Sequence, residues 1–401
     1  MAPAGTHNSK HIAIFVHSFG GSGGAERVML NLASGLKDQG HKVDLVMARQ
    51  EGLFLDQVPP EIRIVDLKVR SARQSIVSLP LLGKNCWFWA RMVLAVKPHF
   101  VLGALPSLAR YLQKEHPDAL ISSTDYPNVV AILARRLAKV KTRIIATVHI
   151  ALSMKITTVK KRRVKDLPRV CRRFYPQADA IVAVSQGVAD DLAQVLDFPV
   201  DNITTIYNPV VSPALESLAA EPLEHPWFIG EGPPVVITVG GFKVAKDHAT
   251  LLKAVAIVRS QRPLRLVMLG EGKLQETIAQ LAEELHIAED VDMLGFVDNP
   301  YKYMARASLF VLSSIYEGLP TVMVEALACG CPVVSTDCPS GPAEILDHGR
   351  YGRLVPVQDE HALALAILSA LDEQHDPSVL KARGMEFSLA KATEDYLRLI
   401  P

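Results

Sequence analysis

The chain has 401 residues, a formal net charge of +1, 49% hydrophobic residues and 21% charged residues, which predicts a globular protein of two or three domains. The first residues of the chain are polar and lead directly into a strand-like segment, so no signal peptide is predicted. No apolar run reaches the roughly 18 residues of a membrane span, so no transmembrane helix is predicted. Five cysteines without metal-ligand or CxxC spacing predict neither a disulfide framework nor a zinc site, and these features together predict a cytoplasmic protein.

The predicted elements form two similar halves. In residues 1–208 short β-branched strands such as HIAIFVHS alternate with segments of helical spacing, and residues 234–380 repeat this alternation with strands such as LFVLSS. We therefore predict an α/β fold of two doubly wound (Rossmann-like) domains facing across a cleft, with ligands at the carboxyl ends of the strands. Six prolines within residues 208–234 predict an interdomain linker over 209–233. Residues 381–401 are expected to form a terminal helix that packs back on the first domain.

The two halves differ strongly in charge. Residues 1–210 contain 28 Lys and Arg against 16 Asp and Glu, a net charge of +12. Residues 211–401 contain 15 against 26, a net charge of −11. The first half is therefore expected to meet anionic partners.

The first loop, SFGGSGGAER at residues 18–27, follows the first strand and opens a helix. Its glycines let the backbone approach a ligand, and the free N–H groups at the helix start attract a phosphate, so Gly23 and Gly24 are candidate donor-binding residues. The pattern is not GxGxxG and no acidic residue ends the second strand, which disfavours a Rossmann dehydrogenase. A tight turn without a ligand is the alternative for the loop, and a favourable first-turn charge is the alternative for Glu26.

Two glutamates interrupt the apolar stretch SSIYEGLPTVMVEALACGCPVVS, residues 313–335. Glu317 follows a predicted strand, and Glu325 lies in the next helix on a face that can turn towards the same cleft. Because a carboxylate accepts hydrogen bonds from two vicinal hydroxyls, the pair suits a ligand with two hydroxyl-bearing rings, such as a nucleotide sugar. The candidate donor-binding residues between them are Gly318, Leu319, Pro320 and Thr321. The alternative is two charges without function, although an unpaired charge in an apolar helix is costly.

The pattern E-G-L-P-x4-E-A-x-A-x-G-x-P-V, from Glu317 to Val333, resembles the E-x7-E signature of retaining glycosyltransferases with the GT-B fold, in particular family 4. GGAERVMLNLA resembles the amino-terminal phosphate loop of a subset that includes bacterial hexosamine transferases. ATVH, which ends at His149, resembles the segment with the family's histidine near the reacting sugar. The resemblance extends over nearly the whole chain.

The resemblance implies roles for individual residues. Glu317 and His149 are the implied catalytic residues, with Glu317 on hydroxyls of the donor sugar and His149 donating or accepting a hydrogen bond there. Glu325 is implied to bind the ribose and Lys246 the diphosphate. The backbone that borders the base is implied to be that of Gly270, Phe296 and Val297. A core or solvent-exposed histidine is the alternative for His149.

One position departs from the family. The family usually has an arginine where this chain has Gly241, so a main diphosphate clamp is expected to be missing. Lys243 is a candidate replacement, with a solvated loop lysine as the alternative.

The expected mechanism uses neither a metal nor a cofactor. No Asp-x-Asp motif suggests a metal-held diphosphate, and the family that the chain resembles uses protein groups and helix ends instead. Lys246 and the amides of Gly23 and Gly24 are expected to stabilise the departing diphosphate while the acceptor attacks from the same face. Configuration at the anomeric carbon would then be retained.

Two segments of the first half predict a membrane-bound acceptor. Residues 155–173 contain nine Lys and Arg and one acidic residue. Residues 81–105 contain tryptophans and cations among apolar residues. The candidate acceptor and membrane residues are Trp87, Trp89, Lys160, Lys161, Arg162 and Arg163. We expect peripheral attachment to the cytoplasmic face of an anionic membrane and a polyprenyl-diphosphate-linked or other anionic glycolipid acceptor. A core helix with a solvated basic face is the alternative, and nucleic acid is not predicted because no aromatic-studded sheet or basic recognition helix is present.

The resemblance favours UDP-N-acetylhexosamine or UDP-glucose as the donor, and a role in assembling a bacterial surface polysaccharide or glycoprotein glycan. A GDP-mannose-dependent mannosyltransferase stays open, as does a nucleotide-sugar epimerase or a phosphorylase with the same two-domain cleft. A non-catalytic sugar-nucleotide sensor is a further alternative. Release of free nucleotide diphosphate only in the presence of an acceptor would exclude the epimerase and the phosphorylase.

Overall fold

The computed structural model of the chain describes residues 9–20, 24–52, 54–95, 97–159 and 162–401. These residues divide into two compact units. Unit 1 extends to Val184 and adds Val188–Tyr207 and Ala392–Pro401, and unit 2 consists of Ser185–Gly187 and Asn208–Lys391. Each unit is built on a parallel sheet, so the prediction of two doubly wound domains is confirmed.

Unit 1 contains a seven-stranded parallel sheet in the spatial order β3-β2-β1-β4-β5-β6-β7. Its strands are β1 (His11–Val16), β2 (Lys42–Met47), β3 (Arg63–Asp66), β4 (Ala119–Ser123), β5 (Arg143–Val148), β6 (Ala180–Ala183) and β7 (Ile203–Thr205). Its helices are α1 (Gly24–Asp38), α2 (Cys86–Val93), α3 (Leu105–Glu115), α4 (Asp125–Ala138), α5 (Leu152–Thr158), α6 (Arg162–Lys165), α7 (Leu167–Phe174) and α8 (Gln186–Leu196). The strand order reverses between β1 and β4, and such a reversal opens a crevice at the carboxyl ends of the strands.

Unit 2 contains a six-stranded parallel sheet in the order β10-β9-β8-β11-β12-β13. Its strands are β8 (Val235–Val239), β9 (Arg265–Leu269), β10 (Val291–Gly295), β11 (Leu309–Leu312), β12 (Val333–Thr336) and β13 (Arg353–Val355). Its helices are α9 (Leu215–Ala220), α10 (His248–Arg259), α11 (Gln275–Glu284), α12 (Tyr301–Met304), α13 (Thr321–Ala328), α14 (Pro342–Ile345), α15 (Glu360–Asp372) and α16 (Pro377–Met385). The order reverses between β8 and β11, so the loops after these two strands lie beside each other.

Both units contain 3-10 helices, which are short except for the 14-residue segment Ala72–Asn85. They span Leu55–Gln57, Ala72–Asn85, Phe100–Ala104, Tyr175–Gln177, Val200–Asn202, Pro226–Phe228, Val244–Lys246 and Ala288–Asp290. The segment Ala72–Asn85 contains Pro80 and a kink at Gly83, where φ is 53°. Proline and a residue with positive φ both interrupt regular α-helix, which explains the irregular form of this segment.

The last helix, α17 (Leu389–Arg398), crosses the division between the units. From Ala392 onwards the chain is grouped with unit 1, where Tyr396 and Ile400 are buried in the same hydrophobic cluster as Ile12 of β1. Lys10 also donates a hydrogen bond of 2.6 Å from Nζ to the carbonyl oxygen of Ile400. Residues 381–391, which were expected to belong to this terminal helix, are part of unit 2 instead.

The stretch expected to be a linker, residues 209–233, is ordered within unit 2. It contains α9 and a 3-10 helix, and it is fixed to the unit by side chains. Asn299 donates from Nδ2 to the carbonyl oxygen of Leu218 at 2.8 Å, and His225 Nε2 lies 3.1 Å from Asp292 Oδ2. Its prolines limit regular structure, but they do not prevent packing.

Candidate active site

Three loops meet at the carboxyl edge of the unit 2 sheet. The register aligns Val239 at the end of β8 with Leu269 at the end of β9, and β10 ends beside Leu269 at Gly295. Backbone hydrogen bonds between neighbouring strands continue into these loops. Gly240 N donates to Leu269 O at 2.9 Å, and Gly270 N donates to Gly295 O at 2.7 Å. The loops that carry Gly240, Gly270 and Phe296 therefore form one continuous surface.

Gly270 makes the close approach of two of these loops possible. Its φ is +138°, and a Cβ built on it would lie 2.2 Å from the carbonyl oxygen of Gly240. Only glycine tolerates both this backbone conformation and this contact. The loops after β8 and β9 thus expose backbone rather than side chains where they meet.

Lys246 and Glu317 are brought together from the loops after β8 and β11. Lys246 Nζ lies 2.6 Å from Glu317 Oε1, and both side chains are largely buried, at 20% and 15% exposure. Ser314 Oγ donates to the same carboxylate oxygen at 2.6 Å. Ser313 Oγ donates to the carbonyl oxygen of Lys246 at 2.8 Å, which fixes the backbone of the lysine. The carboxylate is therefore held in place before any ligand arrives.

The segment after Glu317 leads into helix α13. Gly318, Leu319 and Pro320 are buried, and Thr321 begins the helix. Thr321 and Glu325 are partly exposed and lie four positions apart, so both side chains lie on the same face of α13. The other side chains around Glu325 are buried, namely Met323, Val324, Ala326, Leu327 and Ala328. Thr321, Val322 and Glu325 are therefore the partly exposed residues of α13, the helix that follows Glu317 in the chain.

The predicted base-binding residues lie at the end of β10. Phe296 is 49% exposed, although it is aromatic, and its amide N donates to Glu271 Oε1 at 3.4 Å. Val297 is partly buried. An exposed ring beside open backbone is a surface on which a planar base can pack.

Unit 1 places His149 in a network of side chains at the end of β5. Its Nε2 lies 2.9 Å from Thr147 Oγ1, which donates to the carbonyl oxygen of Ser122 at 2.9 Å. Asn128 of α4 donates to the carbonyl oxygen of Thr147 at 2.9 Å. Burial lowers the pKa of His149 to about 4. The imidazole is therefore neutral at neutral pH and can donate or accept one hydrogen bond without charge.

Asp125 and Lys155 form an ion pair close to His149 that the sequence analysis did not identify. The Nζ of Lys155 pairs with Asp125 Oδ2, and both charges act on the pKa of His149. Asp125 follows β4 closely, and Thr124 before it has a φ of 74°, which is rare for a β-branched residue. The signal available in the sequence was an acidic residue at the carboxyl end of a predicted strand.

The glycine-rich loop is only partly described. Gly23 lies outside the described residues, and Gly24 is the first residue of α1. Glu26 in the first turn lies 3.7 Å from His17 Nε2. Burial lowers the pKa of His17, an effect that the carboxylate of Glu26 partly offsets. Glu26 therefore has a side-chain partner in addition to a favourable place in the helix.

The residues that were predicted to contact a membrane differ in their exposure to solvent. Trp87 is 83% exposed, whereas Trp89 is fully buried and donates from Nε1 to Ser75 Oγ at 3.2 Å. Trp89 is a core residue, and the prediction that it contacts a membrane is wrong. Arg163 is partly buried and its carbonyl oxygen accepts a hydrogen bond of 2.9 Å from the hydroxyl of Tyr126. Lys160 and Lys161 lie outside the described residues, as does the side chain of Arg162 at the start of α6.

One Asp-x-Asp sequence does occur, at Asp290-Val291-Asp292. It lies at the amino end of β10, at the opposite end of the strand from the loops of the site, and both acids have partners. Asp290 pairs with Arg259 at 2.6 Å and Asp292 with His225 at 3.1 Å. Within the described parts of the chain, no cluster of three His, Cys, Asp or Glu side chains could hold a metal ion.

Two family models match the chain. The model described as Glycosyltransferase Family 4 matches residues 22–211, and the model described as Glycosyl transferases group 1 matches residues 221–387. Together they cover both units.

Two named relatives match most of the chain. The N-acetylgalactosamine-N,N'-diacetylbacillosaminyl-diphospho-undecaprenol 4-alpha-N-acetylgalactosaminyltransferase of Campylobacter jejuni is 30% identical over 399 residues, 97% of this chain and 99% of that protein. The N-acetyl-alpha-D-glucosaminyl L-malate synthase of Bacillus anthracis is 27% identical over 278 residues, 69% of this chain and 71% of that protein. Among solved structures, Alr3699/HepE of Anabaena in complex with UDP and glucose has a TM-score of 0.71 at 19% identity, covering 97% of this chain and 98% of that one.

Proposed function

The chain belongs to the family 4 and group 1 glycosyltransferases with the GT-B fold, and we propose that it transfers a hexose or N-acetylhexosamine from a UDP-sugar to a lipid-linked glycan. The observation that carries this proposal is the cluster in unit 2 formed by Lys246, Glu317 and Ser314. A cation for phosphate and a fixed carboxylate for sugar hydroxyls lie there within hydrogen-bond distance of each other.

Each candidate residue has a role in the proposed reaction. Glu317 binds hydroxyls of the donor sugar, and Glu325 binds the ribose. Lys246 balances the negative charge that grows on the diphosphate as the anomeric bond breaks. The neutral imidazole of His149 makes a hydrogen bond to the sugar, and the acceptor hydroxyl attacks the face from which the diphosphate leaves. Anomeric configuration is then retained, and the protein groups act without a metal or cofactor.

The acceptor class is supported by charge and by the relatives. The C. jejuni relative is named for an acceptor on diphospho-undecaprenol. In this chain, residues 67–114 of unit 1 contain eight Lys and Arg and no Asp or Glu. Such a segment favours an acceptor that carries phosphate near an anionic surface. We therefore propose a polyprenyl-diphosphate-linked glycan as the acceptor, in the assembly of a bacterial surface polysaccharide or glycoprotein glycan.

The test of this function is a donor panel with a defined acceptor. UDP-N-acetylglucosamine, UDP-N-acetylgalactosamine, UDP-glucose and GDP-mannose are each incubated with the protein, EDTA and a synthetic polyprenyl-diphosphate-linked disaccharide. We expect release of UDP that requires the acceptor, and an α-linked product by proton NMR. A β-linked product would contradict retention, and loss of activity in EDTA would contradict the metal-free mechanism. Turnover of GDP-mannose alone would support the mannosyltransferase alternative.

We also propose that unit 1 binds peripherally to the cytoplasmic face of an anionic membrane. Five of the twelve strongly exposed large hydrophobic side chains of the described residues lie within one stretch of unit 1: Ile76, Val77, Leu81, Trp87 and Leu94. This stretch lies inside the acid-free segment 67–114. Apolar and aromatic side chains beside cations are typical of a surface that inserts into the headgroup region. Among the described residues, no helix has both the length and the apolar character to span a bilayer.

Replacing Val77, Leu81 and Trp87 together with serine is expected to lower partition onto anionic liposomes at least about tenfold, because three exposed apolar side chains no longer insert. Cosedimentation measures this effect. The matched control replaces Leu365, Val379 and Met385 of unit 2, which are also strongly exposed, and should leave partition unchanged. Equal loss in both triple variants, or no binding by the unaltered protein at about 50 mM salt, where screening is weak, would contradict the proposed surface.

A further inference from the structure

A cavity of about 380 Å³ lies in unit 2 at the amino edge of its sheet. Its lining includes Val333, the first residue of β12, and Arg353, the first residue of β13. The candidate donor-binding residues of unit 2 instead follow the carboxyl ends of β8, β9, β10 and β11. Pockets for small ligands have volumes from about 300 Å³ upwards. The cavity is therefore large enough for a small ligand, and it lies at the opposite edge of the sheet from the candidate active site.

The turn before β13 brings two arginines to this cavity. Arg350, Tyr351 and Arg353 all line it. A Cβ on Gly352 would lie 2.5 Å from the carbonyl oxygen of Val333, so glycine lets this turn pack directly against the start of β12. The guanidinium carbon of Arg350 lies 5.2 Å from the centroid of the Tyr351 ring, close enough for a cation–π contact. Two guanidinium groups are thus held beside one cavity.

The acidic residues of the lining are already bonded to other groups of the chain. Glu373 pairs with Arg353, and this hydrogen bond lowers the pKa of Glu373. Asp376 caps α16, where its Oδ1 accepts hydrogen bonds from Ser378 N at 2.8 Å and from Ser378 Oγ at 2.7 Å. Both carboxylates therefore accept hydrogen bonds from the chain itself.

The arginines have donor capacity that the chain does not use. Arg353 Nε is buried and has no hydrogen-bond partner among the described residues, although buried donors normally have one. Arg350 lies 3.5 Å from Asp347, but the two side chains are 71% and 46% exposed, and such a surface pair contributes little. His375, which also lines the cavity, donates from Nε2 to the carbonyl oxygen of Ala370 at 2.9 Å. The unused capacity of the two arginines favours a ligand with acceptor oxygens.

We propose that this cavity binds a small molecule that carries a phosphate group, with the phosphate oxygens accepting hydrogen bonds from Arg350 and Arg353. A guanidinium group offers a planar pair of N–H donors that matches phosphate oxygens, and it stays charged at physiological pH. Val333, Val379 and Leu380 supply an apolar part of the lining, against which the carbon skeleton of the ligand packs. Because the cavity is apart from the donor residues of unit 2, this ligand binds without displacing the donor.

The first test determines whether this phosphate site is separate from the donor site. Glucose 1-phosphate is titrated calorimetrically into the unaltered protein, alone and with saturating UDP, and glucose is titrated in parallel. We expect a binding event for glucose 1-phosphate that UDP does not remove, and binding of glucose that is at least about tenfold weaker. Loss of glucose 1-phosphate binding in the presence of UDP would place the ligand in the donor site. Equal binding of glucose would show that hydroxyls are recognised instead. Either result, or no binding of glucose 1-phosphate, would overturn the proposal.

The second test uses the ion pair of the lining, because its two members should have opposite effects. Arg353→Gln removes a cation and its donors, and it is expected to weaken glucose 1-phosphate binding at least about tenfold. Glu373→Gln leaves Arg353 with an unbalanced charge towards the ligand, and it should strengthen binding at least about threefold. Weakening by both substitutions would indicate that the carboxylate binds the ligand as well, as it would bind a sugar hydroxyl, and would contradict a phosphate ligand.

Arg350→Gln gives a measurement that does not depend on the folding of the Arg353 variant. The side chain of Arg350 is 71% exposed, so this variant should keep the original unfolding midpoint and weaken glucose 1-phosphate binding at least about fivefold. The matched controls are Arg398→Gln and Glu394→Gln, which alter a surface pair of unit 1 at 3.0 Å and should leave binding unchanged. Unchanged binding by Arg350→Gln, or an equal loss in a control variant, would remove the support for the proposed site.

Discussion

Glu317→Ala is expected to lower kcat at least about 100-fold, the scale of losing one preorganised electrostatic contact in the transition state. The carboxylate is held by Lys246 and Ser314 at 2.6 Å each, so it does not reorganise as positive charge develops at the anomeric carbon. Glu317→Gln keeps the shape but removes the charge, and it should lose most of the same activity. Steady-state release of UDP in the presence of the lipid-linked acceptor measures both variants.

The control for this prediction is Glu360→Ala, which removes a carboxylate of α15 that lies 3.8 Å from Lys253. It should retain kcat, because that surface pair contributes little. Removal of Glu317 also frees Lys246 from its partner, so UDP affinity should not fall in parallel with kcat. If the Glu317→Ala protein kept half of the original kcat with an unchanged unfolding midpoint, this result would contradict a catalytic role for Glu317.

The strands of unit 2 were predictable because each is a short Val- and Ile-rich run between helical segments. The six predicted runs of this half correspond to β8–β13, namely VVITVGG, LRLVMLG, VDMLGFV, LFVLSS, PVVSTD and GRLVPV. In unit 1 the prediction missed β3, Arg63–Asp66. This strand is at the edge of the sheet, is only partly buried and begins and ends with a charged residue. An edge strand that is exposed on one side lacks the apolar pattern on which strand prediction depends.

Helical geometry explains the error at Trp89. Trp87 and Trp89 are two positions apart in α2, and a step of two residues turns a helix by about 200°, which places the side chains on opposite faces. If one tryptophan faces solvent, the other therefore faces the core. Because both have cations nearby in the sequence, local pattern does not distinguish which of the two is buried.

Contacts between distant residues were the part of the site that the sequence did not reveal. Lys246 and Glu317 were assigned to different groups of the donor, and their ion pair follows only from the adjacency of β8 and β11 in the sheet. The same holds for Asp125 and Lys155, whose elements meet at the ends of β4 and β5. Strand order is a property of the whole sheet, so it cannot be read from either segment alone.

Gly270→Ala is expected to destabilise unit 2 more severely than alanine at Gly240 or Gly241. The new Cβ would overlap the carbonyl oxygen of Gly240 at 2.2 Å and its carbonyl carbon at 2.8 Å. Both atoms belong to backbone that is fixed by the hydrogen bond from Gly240 N to Leu269 O. The backbone at φ +138° is also strained for any residue with a side chain. Strain and overpacking together should cost at least about 3 kcal/mol of unfolding free energy.

The matched control is Gly230→Ala, since Gly230 has a φ of +78° and no atom lies within 4 Å of the place that an alanine methyl group would take. This variant isolates the conformational cost of positive φ, about 1–2 kcal/mol. The difference between the two variants in urea unfolding then measures the overlap between the loops after β8 and β9 together with the greater backbone strain at φ +138°. Gly270→Ala should also weaken UDP binding, because Gly240 must move and carries Gly241 and Lys246 with it. If both variants lost the same stability, the close contact of these loops would not be what requires glycine at position 270.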